Sequence, residues 1–244
     1  MTRRFHRLRV AQARAQARIG FARLAVAIAR RRVDEVWFGD SHAVLFNTSR
    51  FPFPGLAPVD ERRWVWHLGP RLMYSTARDG FLPALLRLVR VLRRVPAGQA
   101  VTWFVSYGEI DIRCHLAERL RDGADLGFVD RYVDRVRELA GAVGLAEIVI
   151  VVPPPPAVDS LDHDAFPVVG TPEERIAARR AVADRLATAA TQHQAPRIRI
   201  LDLGPALADP HGLLRADLTD DGCHTNDAGR ARVRSAVEEY LQTA

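Results

Sequence analysis

Five short runs rich in β-branched and aromatic residues punctuate the chain, at positions 33–38, 63–67, 100–107, 147–152 and 197–203. Between them the apolar spacing changes to the three-and-four pattern of helices. Over 81–94, Leu82, Leu85, Leu86, Val89 and Leu92 fall on one side, and 130–141, 171–194 and 227–242 behave similarly. Thr171-Pro172-Glu173-Glu174 reads as an N-cap followed by acids in the first turn, and Asn226 as the cap of the last helix. Strands alternating with helices predict an α/β protein, a five-stranded parallel sheet covered by helices on both faces in three layers. Residues 47–58, with three prolines, read as irregular, and Val152-Pro153-Pro154-Pro155-Pro156-Ala157 as a stiff extended wall leaving the fourth run.

Ahead of the first strand the pattern is different. Phe5, Leu8, Ala15, Ile19, Ala22, Val26 and Ala29 recur at spacings of one helix face, with arginines on much of the remainder. Residues 1–32 therefore read as a basic amphipathic helix and 33–244 as the main domain. The expectation is that this face packs on the body, with contact to acidic lipid or to a partner protein as the alternatives. The apolar stretch 19–29 has 11 residues and contains Arg23, short of the roughly 20 needed to span a bilayer. A secretory signal fits poorly, because Arg30-Arg31-Arg32 follows at once. Thr2-Arg3-Arg4-Phe5 faintly resembles a twin-arginine signal, but the further arginines argue against it. The cytoplasm is the expected compartment.

Charge sharpens this division. The chain has no lysine, and ten of its 35 arginines precede the first acidic residue, Asp34, which leaves 25 arginines against 29 acids in the rest. Basicity belongs to one arm, and the body is slightly acidic. Without interleaved aromatics beyond Phe5 and Phe21 no nucleic-acid partner is expected, and without a glycine-rich phosphate loop no nucleotide. Cys114 and Cys223 are too few for a disulfide framework. At 244 residues and 48% hydrophobic content the chain is expected to form a single soluble domain.

Candidate chemistry lies at two distant places. Phe38-Gly39-Asp40-Ser41-His42 follows the first strand, and Asp221-Gly222-Cys223-His224 precedes the last helix. A serine hydroxyl needs a base to take its proton, imidazole titrates in the useful range, and a carboxylate on the other ring nitrogen holds the tautomer. Asp220 is adjacent, but the spacing favours Asp221 as the partner of His224.

Gly39-Asp40-Ser41 and Asp221 to His224 resemble the first and last blocks of the SGNH, or GDSL-like, hydrolase superfamily, and the resemblance spans about residues 33–244. It implies a flavodoxin-like sheet of order 2-1-3-4-5, with Ser41 as nucleophile, His224 as base and Asp221 behind it. It also implies an oxyanion hole built from the backbone N–H groups of Ser41 and Gly69. The family's third block, Gly-x-Asn-Asp, is replaced by Gly108-Glu109-Ile110-Asp111, so the asparagine side chain that would donate to the oxyanion is missing. Glu109, Asp111, Arg113 and His115 occupy alternate positions, and an extended segment would aim all four at one face. Together with His42 they are the candidate substrate contacts.

The implied activity is a serine-dependent ester hydrolase or deacylase acting on an O-acylated polar substrate, with carbohydrates among the candidates, and with no cofactor and no metal. An O-acyltransferase and a non-catalytic scaffold are the alternatives within the same fold. A further rival uses Asp40, His42, Asp111, His115 and His224 as ligands of a two-metal phosphoesterase, but the Gly-Asn-His and Gly-His-x-His segments of that class are absent. Asp159, Asp162, His163 and Asp164 read as a solvated acidic loop.

Overall fold

The computed structural model describes residues 18–49, 55–158, 166–192 and 195–243. The Thr2 to Phe5 motif, the first five arginines and the loop holding Asp159, Asp162, His163 and Asp164 lie outside the described residues, as does Gln194. Helix α1 covers 18–29, followed by β1 (Glu35–Gly39), α2 (Ser41–Leu45), β2 (Gly55–Pro58), β3 (Arg63–His67), α3 (Met73–Asp79) and α4 (Pro83–Val89). Two 3-10 turns, Arg90–Arg94 and Pro96–Ala100, lead to β4 (Thr102–Ser106). The chain continues through α5 (Glu109–Asp111), a π-helical turn (Ile112–Leu116), α6 (Ala117–Arg121), α7 (Gly127–Val143), β5 (Glu147–Val151), α8 (Pro172–Ala190), β6 (Arg197–Leu201), α9 (Gly204–Leu207) and α10 (Asp227–Gln242).

The sheet order is β2-β3-β1-β4-β5-β6. The five strands expected from sequence are parallel and stand in the expected order, but a sixth is added at the edge. Strand β2 pairs antiparallel with β3, Leu56 opposite Trp66 and Pro58 opposite Trp64. It comes from the segment read as irregular. Gly-Leu-Ala-Pro lacks the β-branched signature, and an edge position, where one side of the strand needs no partner, tolerates proline. Asp60 closes the hairpin by accepting the backbone N–H groups of Arg62 and Arg63.

Alternation along the central strands divides two cores. Val36, Phe38, Trp103, Val105, Ile148 and Ile150 face one layer, with α1, α3, α4, α7 and α8. Trp37, Phe104, Val149 and Val151 face the other, with α2, α9 and α10. Trp37 stacks on Phe104 at a centroid distance of 4.4 Å. Full burial on both sides is why these strands read as near-continuous apolar runs, and each large side chain removed from water contributes about 1.5–3 kcal/mol.

Helix boundaries follow local chemistry. Thr171 and Glu174 form a reciprocal capping box at α8, and Asn226 caps α10 through the Gly229 N–H. The helix expected over 81–94 breaks at Arg90 into a 3-10 turn; Leu85, Val89 and Leu92 are buried while Leu82 is exposed.

Helix α1 packs on the body, but through the opposite side from the one expected. Phe21, Leu24 and Ile28 enter the first core, Phe21 lying 6.0 Å from Trp66, whereas Ile19, Ala22, Val26 and Ala29 face outward. The helix has two apolar sides, and the bulkier one packs.

Candidate active site

The site is built where β1 and β4, neighbours in the sheet, end side by side. Here the chain from β1 turns to α2 on one layer while that from β4 turns to α5 on the other, the crevice position of open α/β sheets. Gly39 must be glycine, because a Cβ there would stand 2.0 Å from the Ser106 carbonyl oxygen. That close approach lets the Asp40 N–H donate to Ser106 O at 3.2 Å. The Asp40 carboxylate folds back to accept the His42 N–H at 2.9 Å, capping α2 and leaving Ser41 half-buried at its first position.

Ser41 and His224 are 183 positions apart in sequence, yet Ser41 Oγ lies 3.0 Å from His224 Nε2. The other ring nitrogen, Nδ1, donates to Asp221 Oδ2 at 2.7 Å. Because a carboxylate can only accept, Nδ1 carries the hydrogen and Nε2 is left to accept the serine O–H. Asp221 Oδ1 also accepts the N–H groups of His224 (2.7 Å) and Cys223 (2.8 Å), so one carboxylate fixes ring and backbone together. Asp220 is engaged elsewhere, accepting from the Asn226 amide.

Electrostatics follow this packing. Burial and the nearby His42 hold the His224 imidazole below its ordinary value, against the opposing pull of Asp221. Asp221 is partly buried, which works against ionisation, but the bonds it accepts from His224 and Cys223 keep it below the usual carboxylate range.

His42 does not face the crevice. It is 1% exposed, and its Nε2–H donates to the Cys223 carbonyl at 3.1 Å. Nδ1 faces the Asp40 carboxylate at 3.7 Å. Both nitrogens therefore look at oxygen, which favours a hydrogen on each. In spite of complete burial, the Asp40 carboxylate and the side chain of Cys223 beside it hold this imidazole well above its ordinary value. On the same layer Thr225 donates its hydroxyl to Leu45 O, so the His224 loop is tied to α2 on both sides. Sequence reasoning missed Cys223 and Thr225 as tethers; their only signal was adjacency to His224.

The alternating residues after β4 are helical, which overturns the extended reading. Gly108 (φ 113°) opens α5, and the chain then winds through the π turn. Asp111 is buried and accepts the Met73 and Tyr74 N–H groups at 2.7 and 3.0 Å, capping α3. Burial pushes its carboxyl up to about 6 in spite of those two bonds. Glu109 pairs with Arg113 at 2.6 Å, and Arg113 also donates to Phe166 O. His115 is exposed, and its electrostatic neighbours are Arg119 and Glu118. Ile110 is buried outside both cores. Glu109 and Arg113 thus stay at the crevice, lining a narrow cleft with Pro154, Pro155, Gly222 and Cys223, while Asp111 and His115 do not join them.

Gly69 (φ 85°) is buried in the loop after β3, next to Leu68, whose N–H donates to Gly39 O at 2.8 Å. That bond draws the loop to the end of β1. Among the described residues the three ligating side chains that converge are His42, Cys223 and His224, with ligand atoms within 4.8 Å of one another. Asp111 and His115 of the two-metal reading are not in that group. Both cysteines are buried free thiols, and burial raises Cys114 to about 11.

No family model and no curated protein matches the chain. Among solved structures it is similar to a protein from Streptococcus pneumonia provisionally described as a platelet activating factor, with TM-score 0.53 and 15% identity over 99% of this chain and 100% of that one. A mutant acetyl esterase with acetate ion has TM-score 0.48 and 13% identity, covering 86% and 97%. A carbohydrate esterase family 3 protein from Talaromyces cellulolyticus has TM-score 0.47 and 13% identity, covering 86% and 97%. The chain shares its α/β fold with the Streptococcus pneumonia protein, and its five parallel strands stand in the flavodoxin-like order. At 15% identity that likeness shows the fold alone. Among the described residues no helix is long and apolar enough to cross a membrane.

Proposed function

We propose that the chain is a serine-dependent ester hydrolase acting on an O-acylated polar substrate through an acyl-enzyme on Ser41. The observation that carries this reading is the continuous relay from Ser41 Oγ to His224 Nε2 (3.0 Å) and from His224 Nδ1 to Asp221 (2.7 Å). As Ser41 attacks the acyl carbon, its proton passes to His224 Nε2 and Asp221 stabilises the imidazolium that forms. The oxyanion falls to the backbone N–H groups of Ser41 and Gly69. His224 then returns the proton to the departing alcohol oxygen as the C–O bond breaks. Water, activated by the same imidazole, releases the acyl group as an acid and restores Ser41.

Ile110 stands where a third oxyanion donor is expected. The absence of one such donor typically costs about 10²–10³ in rate, so the reaction is expected to be slow beside a three-donor site. The Glu109–Arg113 pair on the cleft wall supports a polar, hydrogen-bonding substrate such as a sugar ester.

The test is covalent labelling with a serine-directed phosphonate read by mass spectrometry. A single adduct on Ser41, lost in Ser41→Ala and suppressed in His224→Ala, is expected. An unlabelled native protein, or equal labelling in the His224 variant, would refute the relay. Hydrolysis of p-nitrophenyl acetate with and without a sugar acceptor then separates hydrolase from O-acyltransferase.

A further inference from the structure

We propose that the outward face of α1 is an interfacial surface that seats this protein on an anionic lipid bilayer. The helix has a second apolar side that the body does not cover: Ile19 is 62% and Val26 49% exposed, with Ala22 and Ala29 beside them. Arg18, Arg23 and Arg30 flank this strip and Arg31 and Arg32 follow it, all five exposed. A shallow groove of about 500 Å³ runs alongside, lined by Ala22, Arg23, Val26, Arg30, Arg32 and Trp64. An apolar floor rimmed by guanidinium groups matches acyl chains beneath phosphate head groups.

Many arginines of the body are held in ion pairs, although among the described residues others, such as Arg87, Arg90, Arg93 and Arg94, are not. Arg62, Arg63, Arg121, Arg179, Arg185 and Arg234 each bond to a carboxylate. Among the described residues none of Arg18, Arg23, Arg30, Arg31 and Arg32 is in an ion pair. Their charge is left for a partner, and the sequence adds five more arginines upstream without one acidic residue before Asp34.

The apolar strip decides which polyanion. A nucleic acid would use the arginines but gain nothing from Ile19 and Val26, since stacking on bases needs aromatic faces. A second copy docked by a two-fold axis would bring arginine rims together, like charge on like. A bilayer with anionic head groups uses both features. Placement adds a consequence. Gly20 abuts Leu56, which is in register with Trp66 near the carboxyl end of β3, and Ile28 abuts Gly98 before β4. The N-terminal end of α1 therefore lies at the end of the sheet that carries Ser41, and docking through the outward helix face would lay the strands along the lipid surface.

Sedimentation of the full chain with vesicles tests this independently of any chemistry at Ser41. Vesicles of phosphatidylcholine alone are compared with vesicles containing phosphatidylglycerol, at low and high salt. Binding at least about tenfold stronger to the anionic vesicles, weakened by salt, is expected. Ile19→Asp with Val26→Asp should reduce it at least about tenfold, since both side chains point outward and circular dichroism should be unchanged. Equal binding to neutral vesicles, or anionic binding that the double variant retains, overturns the proposal. So does a wild-type dimer in light scattering that the double variant disperses, or RNA binding in place of vesicle binding.

Discussion

Two turns leave the same end of the sheet from neighbouring strands, and they treat their polar groups in opposite ways. After β1, Asp40 folds inward to cap its own helix, and the Ser41 hydroxyl is left at the crevice facing His224. After β4, Asp111 folds inward to cap α3, but the residue before it is a buried isoleucine and Glu109 is neutralised by Arg113. Both turns need glycine for a close approach: a Cβ on Gly39 would meet Ser106 O, and one on Gly108 would stand 2.7 Å from Met73 and 2.8 Å from Pro153. Backbone geometry is therefore similar in demand. What differs is whether a polar atom is consumed inside the protein or left facing the crevice. Spacing in a motif positions a residue; only the accounting of partners says whether it is available for chemistry.

The contrast is sharpest in activity. Asp221→Asn keeps a hydrogen-bonding side chain behind His224 but favours the wrong ring tautomer, and about a 10⁴-fold fall in kcat is expected for hydrolysis of p-nitrophenyl acetate. Glu109→Gln, at the other turn, should cost less than about tenfold in kcat, since Glu109 touches neither Ser41 nor the His224 ring; leaving the buried Arg113 without its carboxylate is expected to lower stability instead. Equal losses in the two variants would erase the distinction between the turns.

Asp111 breaks or supports the comparison through stability. Its carboxyl is raised to about 6 by burial, above the ordinary value of about 3.9. The native state therefore binds more protons than the unfolded chain between about pH 4 and 6, and stability falls as pH rises through that window. Relative to Asp111→Asn, which stays neutral and can still accept from Met73 or Tyr74, wild type should lose up to about 3 kcal/mol across it. Urea unfolding at a series of pH values measures the difference. A flat difference would mean that Asp111 is not an ionising buried cap.

What could be read from sequence and what could not divides along the same physical line. The five parallel strands were legible because burial on both faces leaves continuous apolar runs, and the meeting of Ser41, His224 and Asp221 because few residue types suit such a relay at that spacing. Strand β2 was hidden, since an edge strand of Gly-Leu-Ala-Pro carries no pattern. The orientation of α1 was undecidable by period alone. Two apolar faces satisfy the same spacing, and the larger Phe21, Leu24 and Ile28 take the core. Between Glu109 and His115 the polar residues alternate, but Glu109 and Arg113 are also four apart, the spacing of a helical ion pair, and the helix prevails. Asp111 and His42 were read as substrate contacts because exposure cannot be seen in a motif; both are buried.

The smallest expected effect concerns His42, which sits on the Ser41 side of the contrast without facing the crevice. His224 must be neutral to accept the serine proton, so kcat/KM falls on the acid side as pH drops through its titration. Burial and the neighbouring His42 lower that titration, whereas Asp221 and Glu109 raise it. The acid limb should therefore lie below the ordinary imidazole value of about 6.5. His42→Gln keeps an N–H to offer the Cys223 carbonyl but removes the charge, so the limb should move toward higher pH with KM unchanged. An NMR titration of the His224 ring should shift in the same direction, and this readout does not depend on turnover. A limb that stays in place while thermal stability falls would assign His42 to packing alone, and the charge beside His224 would have no part in its proton affinity.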